Sequence, residues 1–555
     1  MSSAPVAPYE PGQRPLPLAR WADLPRRPGD AGLGPRLPRF GSVGLVVCLL
    51  QGGILAVLTA IEWHRRALSY DFGVYAQAWW LIGHGHLDPY SSLLGAPFLH
   101  NNFELLMWPL ALLVPLSGSP LTLLVVQDLA LVGTSLVALH WLYEHIERAA
   151  PSIPPVSADS GLEPPLPASA RYQGEHPAVS PLAALLVAAV LLVADPWIYM
   201  TGTYDFHSEA LSGLFVLLAA RALWRGGRRP AIAWAVVAVS SGFVGLLAVA
   251  GLFGGDVFRQ RGRAPASLVV TVLCVGLGIV LVERHLVGGA GLDFRLGFAY
   301  LVGAHSAVHG LGAVLGAAAA HPLRVLHAVF RKLPLVVLVL LPCGLVGVVD
   351  PWAGGALLAV VGPLLVGDQA VFVAAPEVFQ VWPALPVVLV CSFLVAVRPR
   401  RVAHRLRRAY LVGWAGLSLA TCVGFVRYIP ADWFRIEPAQ TAVIRSLQRH
   451  VDPRCEIVAS DAFAGDFAVG RDERSLLATT HDIPLDRSCV VLVLAPAVGR
   501  YGVLPAVTSR FIEGLEIRRG LAPVRVSEGI SEFVWRRAPV GGDLVVPSAA
   551  LTPAS

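Results

Sequence analysis

The chain alternates between long apolar runs and short polar breaks. The first run, residues 42–62 (SVGLVVCLLQGGILAVLTAIE), has about the length that crosses a bilayer as a helix. Further apolar runs fall at 103–117, 120–143, 181–198, 208–224, 231–257, 266–287, 333–349, 354–367, 383–397 and 409–427. Several are shorter than the roughly 20 residues of a full span, as is tolerated for helices that line a protein-enclosed cavity. The 231–257 run is broken at Ser240-Ser241-Gly242 and has Arg clusters at both ends, so it is expected to be a hairpin of two short helices. From about 437 the pattern changes. A helix-like stretch (PAQTAVIRSLQRHV) leads to a strand at 456–459, an acidic loop at 460–473 and an apolar strand at 490–495. A helical stretch at 504–513 and strands near 522–527 and 532–536 follow. The expected fold class is mainly α: a polytopic transmembrane bundle over 41–428, of about 10–12 spans, and a small α/β domain over 437–540.

Composition agrees with this pattern. The 555 residues are 55% hydrophobic and 14% charged, with a mean hydropathy of +0.63, whereas soluble domains carry about 25% charged residues. The net charge of +6 comes from arginine, since Lys332 is the one lysine. The arginines cluster between apolar runs, at Arg225/Arg228/Arg229, Arg259/Arg261/Arg263 and Arg398 to Arg408, as cytoplasmic loops do. They leave no nucleic-acid footprint, despite a pI near 9.0.

Residues 1–40 are rich in Pro and Arg without an apolar core, and read as a disordered cytoplasmic tail before an uncleaved anchor helix. The Pro- and Ser-rich stretch 146–180 reads as a disordered linker, and 541–555 as a tail. Cys48, Cys274, Cys343, Cys391 and Cys422 sit in apolar runs and read as packing residues. Cys455 and Cys489 could pair if their region is extracytoplasmic.

No Lys or Arg occurs from Ala67 to Glu147, which places the polar loop 67–103 on the outer side of the membrane. Walking back from Arg398–Arg408 puts everything after Tyr428 outside as well. The two walks differ by one crossing between 103 and 224, and the short run 103–117 is the first suspect for a segment that does not cross.

Four constellations carry candidate chemistry. In the first, Asp71 follows the first span among Tyr70, Phe72, Tyr75, Gln77, Trp79 and Trp80. It reads either as a general base with stacking surfaces for a sugar, or as an interfacial helix cap within an aromatic belt. The second, His100-Asn101-Asn102-Phe103-Glu104, could bind a divalent ion, a phosphate or an acceptor, or could cap the next helix. In the third, Asp205, His207 and Glu209 lie between apolar runs, where ionisable groups are candidates by default. The alternative there is a solvated loop with Ser208 as the cap, and a metal would need a third ligand. The fourth is the cationic set Arg284, His285, Arg295, His305, His309, His321, Arg324, Arg331 and Lys332, suited to a lipid phosphate or to anionic headgroups.

The run Tyr70 to Trp79, then Phe98-Leu99-His100-Asn101, Pro109, Gln127 and Phe206-His207, resembles the DUF2079 family of bacterial polytopic membrane proteins. The likeness extends from about 42 to 540, with Ser240-Ser241-Gly242-Phe243 standing where that family often has an acidic motif. That family is similar to the GT-C superfamily, whose members take sugars from polyprenyl-phosphate donors and use an acidic residue of the first outer loop as base. The resemblance implies a membrane glycosyltransferase acting on an envelope acceptor at the outer face, with Asp71 as the catalytic residue. Tyr70, Gln77, Trp79, His100, Asn101, Glu104, Asp205, His207 and Arg295 are the expected substrate-binding residues. The cofactor is left unknown, with a divalent cation open. The competing reading is a non-catalytic membrane protein, a transporter or an envelope-assembly scaffold.

Overall fold

The computed structural model describes residues 40–101, 103–149, 180–288, 298–302, 311–367, 380–397, 404–432, 436–470, 472–476, 482–496 and 505–546. The N-terminal tail, most of the 146–180 linker, Arg295, His305, His309 and the C-terminal tail beyond 546 lie outside the described residues.

Five described helices are long and apolar enough to cross a membrane: Phe40–Arg65 (α1), Leu121–Arg148, Pro181–Gly202, Pro265–Glu283 and Arg405–Arg427. They turn large apolar side chains outward, among them Leu45 and Leu49 on α1, Val272 and Ile279, and Val412 and Leu419. Such faces suit hydrocarbon and would form costly exposed patches in water. Leucines, valines and alanines on the opposite faces close a continuous buried core.

The 103–117 run is not a single helix of crossing length. It folds as two short helices, Met107–Ala111 and Val114–Ser117. At about 1.5 Å per residue, neither approaches the ~30 Å hydrocarbon core. With that run removed as a crossing, the two topology walks agree at Arg225–Arg229. The loop expected at 67–103 instead holds a 14-residue helix, Tyr70–Gly83 (α2), and a two-residue hairpin pairing Tyr90 with Pro97. Beyond α2, the long helix Leu121–Ala149 (α3) packs on Ser208–Trp224 (α4). The broken 231–257 run is a helical hairpin, Arg228–Ser240 (α5) and Phe243–Arg259 (α6). Gly242 at its tip has φ +137°, and a Cβ there would lie 3.0 Å from the Glu209 carboxyl, so the tip needs glycine twice over.

The C-terminal region starts with helix Pro438–His450 (α7). Its five-stranded sheet uses Glu456–Ser460 (β1), Glu473–Leu476 (β2), Val490–Leu494 (β3), Arg525–Ser527 (β4) and Ile530–Trp535 (β5), in the order β2-β1-β3-β5-β4. The first three are parallel and the last two antiparallel. The acidic loop expected at 460–473 begins with a 3₁₀ turn, Asp461–Asp466, and leads at Glu473 into the unexpected β2, whose Glu-Arg-Ser-Leu sequence gives no apolar strand signal. Cys455 and Cys489 are disulfide-bonded.

This region sits on the far end of α1. Thr441 Oγ1 donates to the Arg65 carbonyl (2.9 Å), Arg445 Nη2 to the His64 carbonyl (2.7 Å), and Arg66 pairs with buried Asp466 (3.4 Å). The segment after α1 and the C-terminal sheet therefore lie at the same end of the bundle, as the two topology walks require.

Candidate functional site

The site is built at the start of α2. Ser69 is the N-cap, its hydroxyl accepting the Asp71 N–H at 3.3 Å. Asp71 occupies the first turn, where the helix dipole favours a carboxylate. The cap is thus Ser69 and not the Asp71 carboxylate. Its side chain is 41% exposed, and Oδ2 lies 3.9 Å from Nε2 of His207, itself 8% exposed. The Tyr204 ring stacks on His207 with centroids 5.2 Å apart.

One turn along α2 from Asp71, Tyr75 donates its hydroxyl to Glu104 Oε1 (2.7 Å) and lies 3.4 Å from Glu209 Oε2. Its ring meets Phe206 and His207 edge-on, each at 5.4 Å. Glu104 is buried beside Glu209, whose charge acts on it. Among the described residues no cation is paired with either carboxyl, and two neighbouring buried carboxylates disfavour each other's charge, so a proton on the pair is favoured. Burial, and then the Glu209 charge, push the Glu104 carboxyl well above the carboxylate range. Burial and the same two carboxyls raise the Tyr75 phenol.

Residues of α3 and the 203–208 segment hold these groups in place. Gln127 Nε2 donates to the carbonyls of Asp205 (2.7 Å) and Thr201 (3.1 Å), while its Oε1 accepts the His207 N–H (2.9 Å). Asp205 is buried in the left-handed region at φ +45°, and its carboxylate accepts the hydroxyl and N–H of Ser69. Asp205 therefore acts on the site through the α2 cap. Ser208, expected as a cap, instead donates to the Ser241 carbonyl (2.6 Å), and His207 is the N-cap of α4. The Leu106 N–H reaches the Ser240 carbonyl (2.8 Å), which joins the Glu104 segment to the hairpin tip.

Of the expected substrate-binding residues, the structure brings together Tyr70, Glu104, Asp205 and His207 around Asp71 and Tyr75. Gln77 and Trp79 are taken up elsewhere: Gln77 bonds the Ser91 and Ser92 hydroxyls (2.8 and 2.7 Å), and fully buried Trp79 donates to the Leu110 carbonyl (2.9 Å). His100 and Asn101 belong to the short helix Phe98–Asn101, but their side chains lie outside the described residues, as does all of Arg295. In the cationic set, Lys332 is buried and donates to the Leu364 carbonyl (3.0 Å), whereas Arg324 and Arg331 are exposed on an amphipathic helix, Pro322–Leu340.

Sequence reasoning gave Tyr75 only as an aromatic neighbour and Glu209 only as a metal partner of His207. The polar break within an apolar pattern was a signal for both, but not for their meeting. For a divalent cation, no three His, Cys, Asp or Glu side chains are grouped among the described residues, and the Glu104 and Glu209 carboxyls are engaged with Tyr75.

No protein-family model matches the chain, and no curated protein matches it. Among solved structures it is similar to ArnT from Cupriavidus metallidurans bound to undecaprenyl phosphate, at 11% identity and a TM-score of 0.44, covering 91% of this chain and 100% of that one.

Proposed function

We propose that the protein is a GT-C-like membrane glycosyltransferase that moves a sugar from a polyprenyl-phosphate donor to an envelope acceptor at the outer face. The observation that carries this reading is Asp71: a half-exposed carboxylate at a helix N-terminus, just beyond a membrane-length helix and beside buried His207. In the proposed reaction the acceptor hydroxyl gives its proton to Asp71 while its oxygen attacks the anomeric carbon. The bond from that carbon to the phosphate oxygen breaks, and its electron pair leaves with the lipid phosphate. No step is routed through a metal.

Asp205, through Ser69, fixes the helix start that carries the base, and His207 lies against it. Tyr70, His100, Asn101 and Arg295 remain proposed contacts for sugar and phosphate. The disulfide supports an extracytoplasmic C-terminal region, with the tail before α1 in the cytoplasm. The bundle would reach ten to twelve segments by adding shorter apolar helices such as Pro351–Val366 and Leu385–Val397 to the five long ones. The test is reconstitution of the protein with radiolabelled polyprenyl-phosphate sugars and an envelope extract. Label is expected to pass from lipid to acceptor. A folded protein that neither binds nor turns over any donor would favour the non-catalytic alternative.

A further inference from the structure

We propose that the C-terminal sheet is a working part of this site, and that Arg474 on its edge strand is a positioning residue that sets α2, and with it Asp71. The sequence marks this region only as a small α/β domain. Its contacts point inward instead.

At 14 residues, α2 is too short to hold its own shape in water and depends on what grips it. The C-terminal region grips it on one face, at two points a turn apart. At the first, Gly73 faces Gly465. A Cβ on Gly73 would lie 3.2 Å from the Gly465 Cα and 2.7 Å from Leu93, while a Cβ on Gly465 would lie 2.8 Å from the Ser69 carbonyl. The Gly465 N–H also donates to the Leu68 carbonyl (3.0 Å), beside the cap of α2. At the second point, Gln77 is held by Ser91 and Ser92, and Ser92 is held by β2. The Glu473 N–H donates to Ser92 Oγ (2.9 Å), and Arg474 Nη1 donates to the Ser92 carbonyl (2.7 Å).

Arg474 is suited to this by its fork of donors. Its Nε bonds buried Glu456 (3.2 Å) and its Nη2 bonds Asp486, which fix the guanidinium plane and leave Nη1 aimed across the junction. Burying a guanidinium with two acids is a weak source of stability by itself and a strong source of fixed geometry. A sheet edge that merely packed against α2 would need neither the charge nor its direction.

The test compares full-length wild type, Arg474→Ala, Arg474→Lys and Ser92→Ala by hydrogen exchange in lipid nanodiscs. Arg474→Ala is expected to speed exchange of the amides over 70–83 by about tenfold or more, with the strands Glu456–Ser460 and Val490–Leu494 still protected. Arg474→Lys should recover part of that protection. Ser92→Ala keeps the carbonyl that Arg474 meets but removes the hydroxyl that joins Gln77 to the Glu473 N–H, and should loosen the same amides even if Arg474→Ala unfolds the sheet. Unchanged exchange over 70–83 in Ser92→Ala, or in a folded Arg474→Ala, would overturn the proposal. A second arm rests on the transferase reading: transfer by Arg474→Ala should fall with donor affinity unchanged. Failure of wild type to transfer would sink that reading alone, because the exchange arm needs no activity.

Discussion

The two helices α3 and α4 carry charge at both ends, and the ends are organised in opposite ways. At the end near Arg225, Glu144 takes Arg221 (2.7 Å) and Arg225, with His140 at 3.5 Å. Glu144 there is shared by two arginines. At the other end lie Asp71, Glu104, Asp205 and Glu209, with Tyr75 and His207 among them, and the acids lean on hydroxyls, amides and one another. Ion pairing is how a protein stabilises buried charge where structure is the sole requirement. Among these acids Asp71 lies half-exposed beside His207, where a reactant could meet it. On the proposed reading the second end is the reactive one and the first an anchor.

Substitutions should separate the two ends. The largest effect is expected at Asp71: Asp71→Asn should lower transfer by about 10²–10⁴-fold in initial-rate assays, the usual scale for a lost general base. Next is the anchor. Glu144→Ala leaves Arg221 and Arg225 unpaired and should cost about 1–3 kcal/mol in a detergent melt, with transfer scaled only by the folded fraction. A smaller effect is expected for Glu104→Ala, which leaves the Tyr75 hydroxyl only its longer contact with Glu209, at a cost of about 1–2 kcal/mol, read as faster exchange near Leu106 and Ser240. Smallest is Glu104→Gln, which mimics the protonated acid and should stay within about 1 kcal/mol of wild type.

The pH dependence follows from the same pair. Glu104 has a folded-state pKa raised above its unfolded value. Its contribution to stability is therefore full below the ordinary carboxyl range and is lost as pH rises toward its raised folded value. Wild type should lose thermal stability with rising pH above that range, and Glu104→Gln should flatten the slope. Parallel slopes in the two proteins would remove the proton from the pair.

Much of the fold was legible because burial writes itself as apolar periodicity. The anchor α1, the hairpin broken at Ser241-Gly242, and the strands Glu456–Ser460 and Val490–Leu494 all lie close to where their patterns put them. β2 was not legible, because its Glu473 and Arg474 are stabilised by partners distant in sequence instead of by apolar burial. The site divides the same way. Asp71 stands out locally, as an acid after a span in a cation-free loop. The contacts of Tyr75 with Glu104 and Glu209 join residues 29 and 134 positions apart, and nothing local announces them. Trp79 and Gln77 read as binding residues by type, but packing and the Ser91-Ser92 turn claim them.

The most direct measurement is donor binding and sugar transfer on the same preparation of Asp71→Asn, at saturating polyprenyl-phosphate sugar. A general base predicts donor affinity within about twofold of wild type and transfer reduced by at least about a hundredfold. Transfer at the wild-type rate by a variant that binds donor normally would contradict Asp71 as the base, and with it the assignment of this end of the bundle as the reactive one.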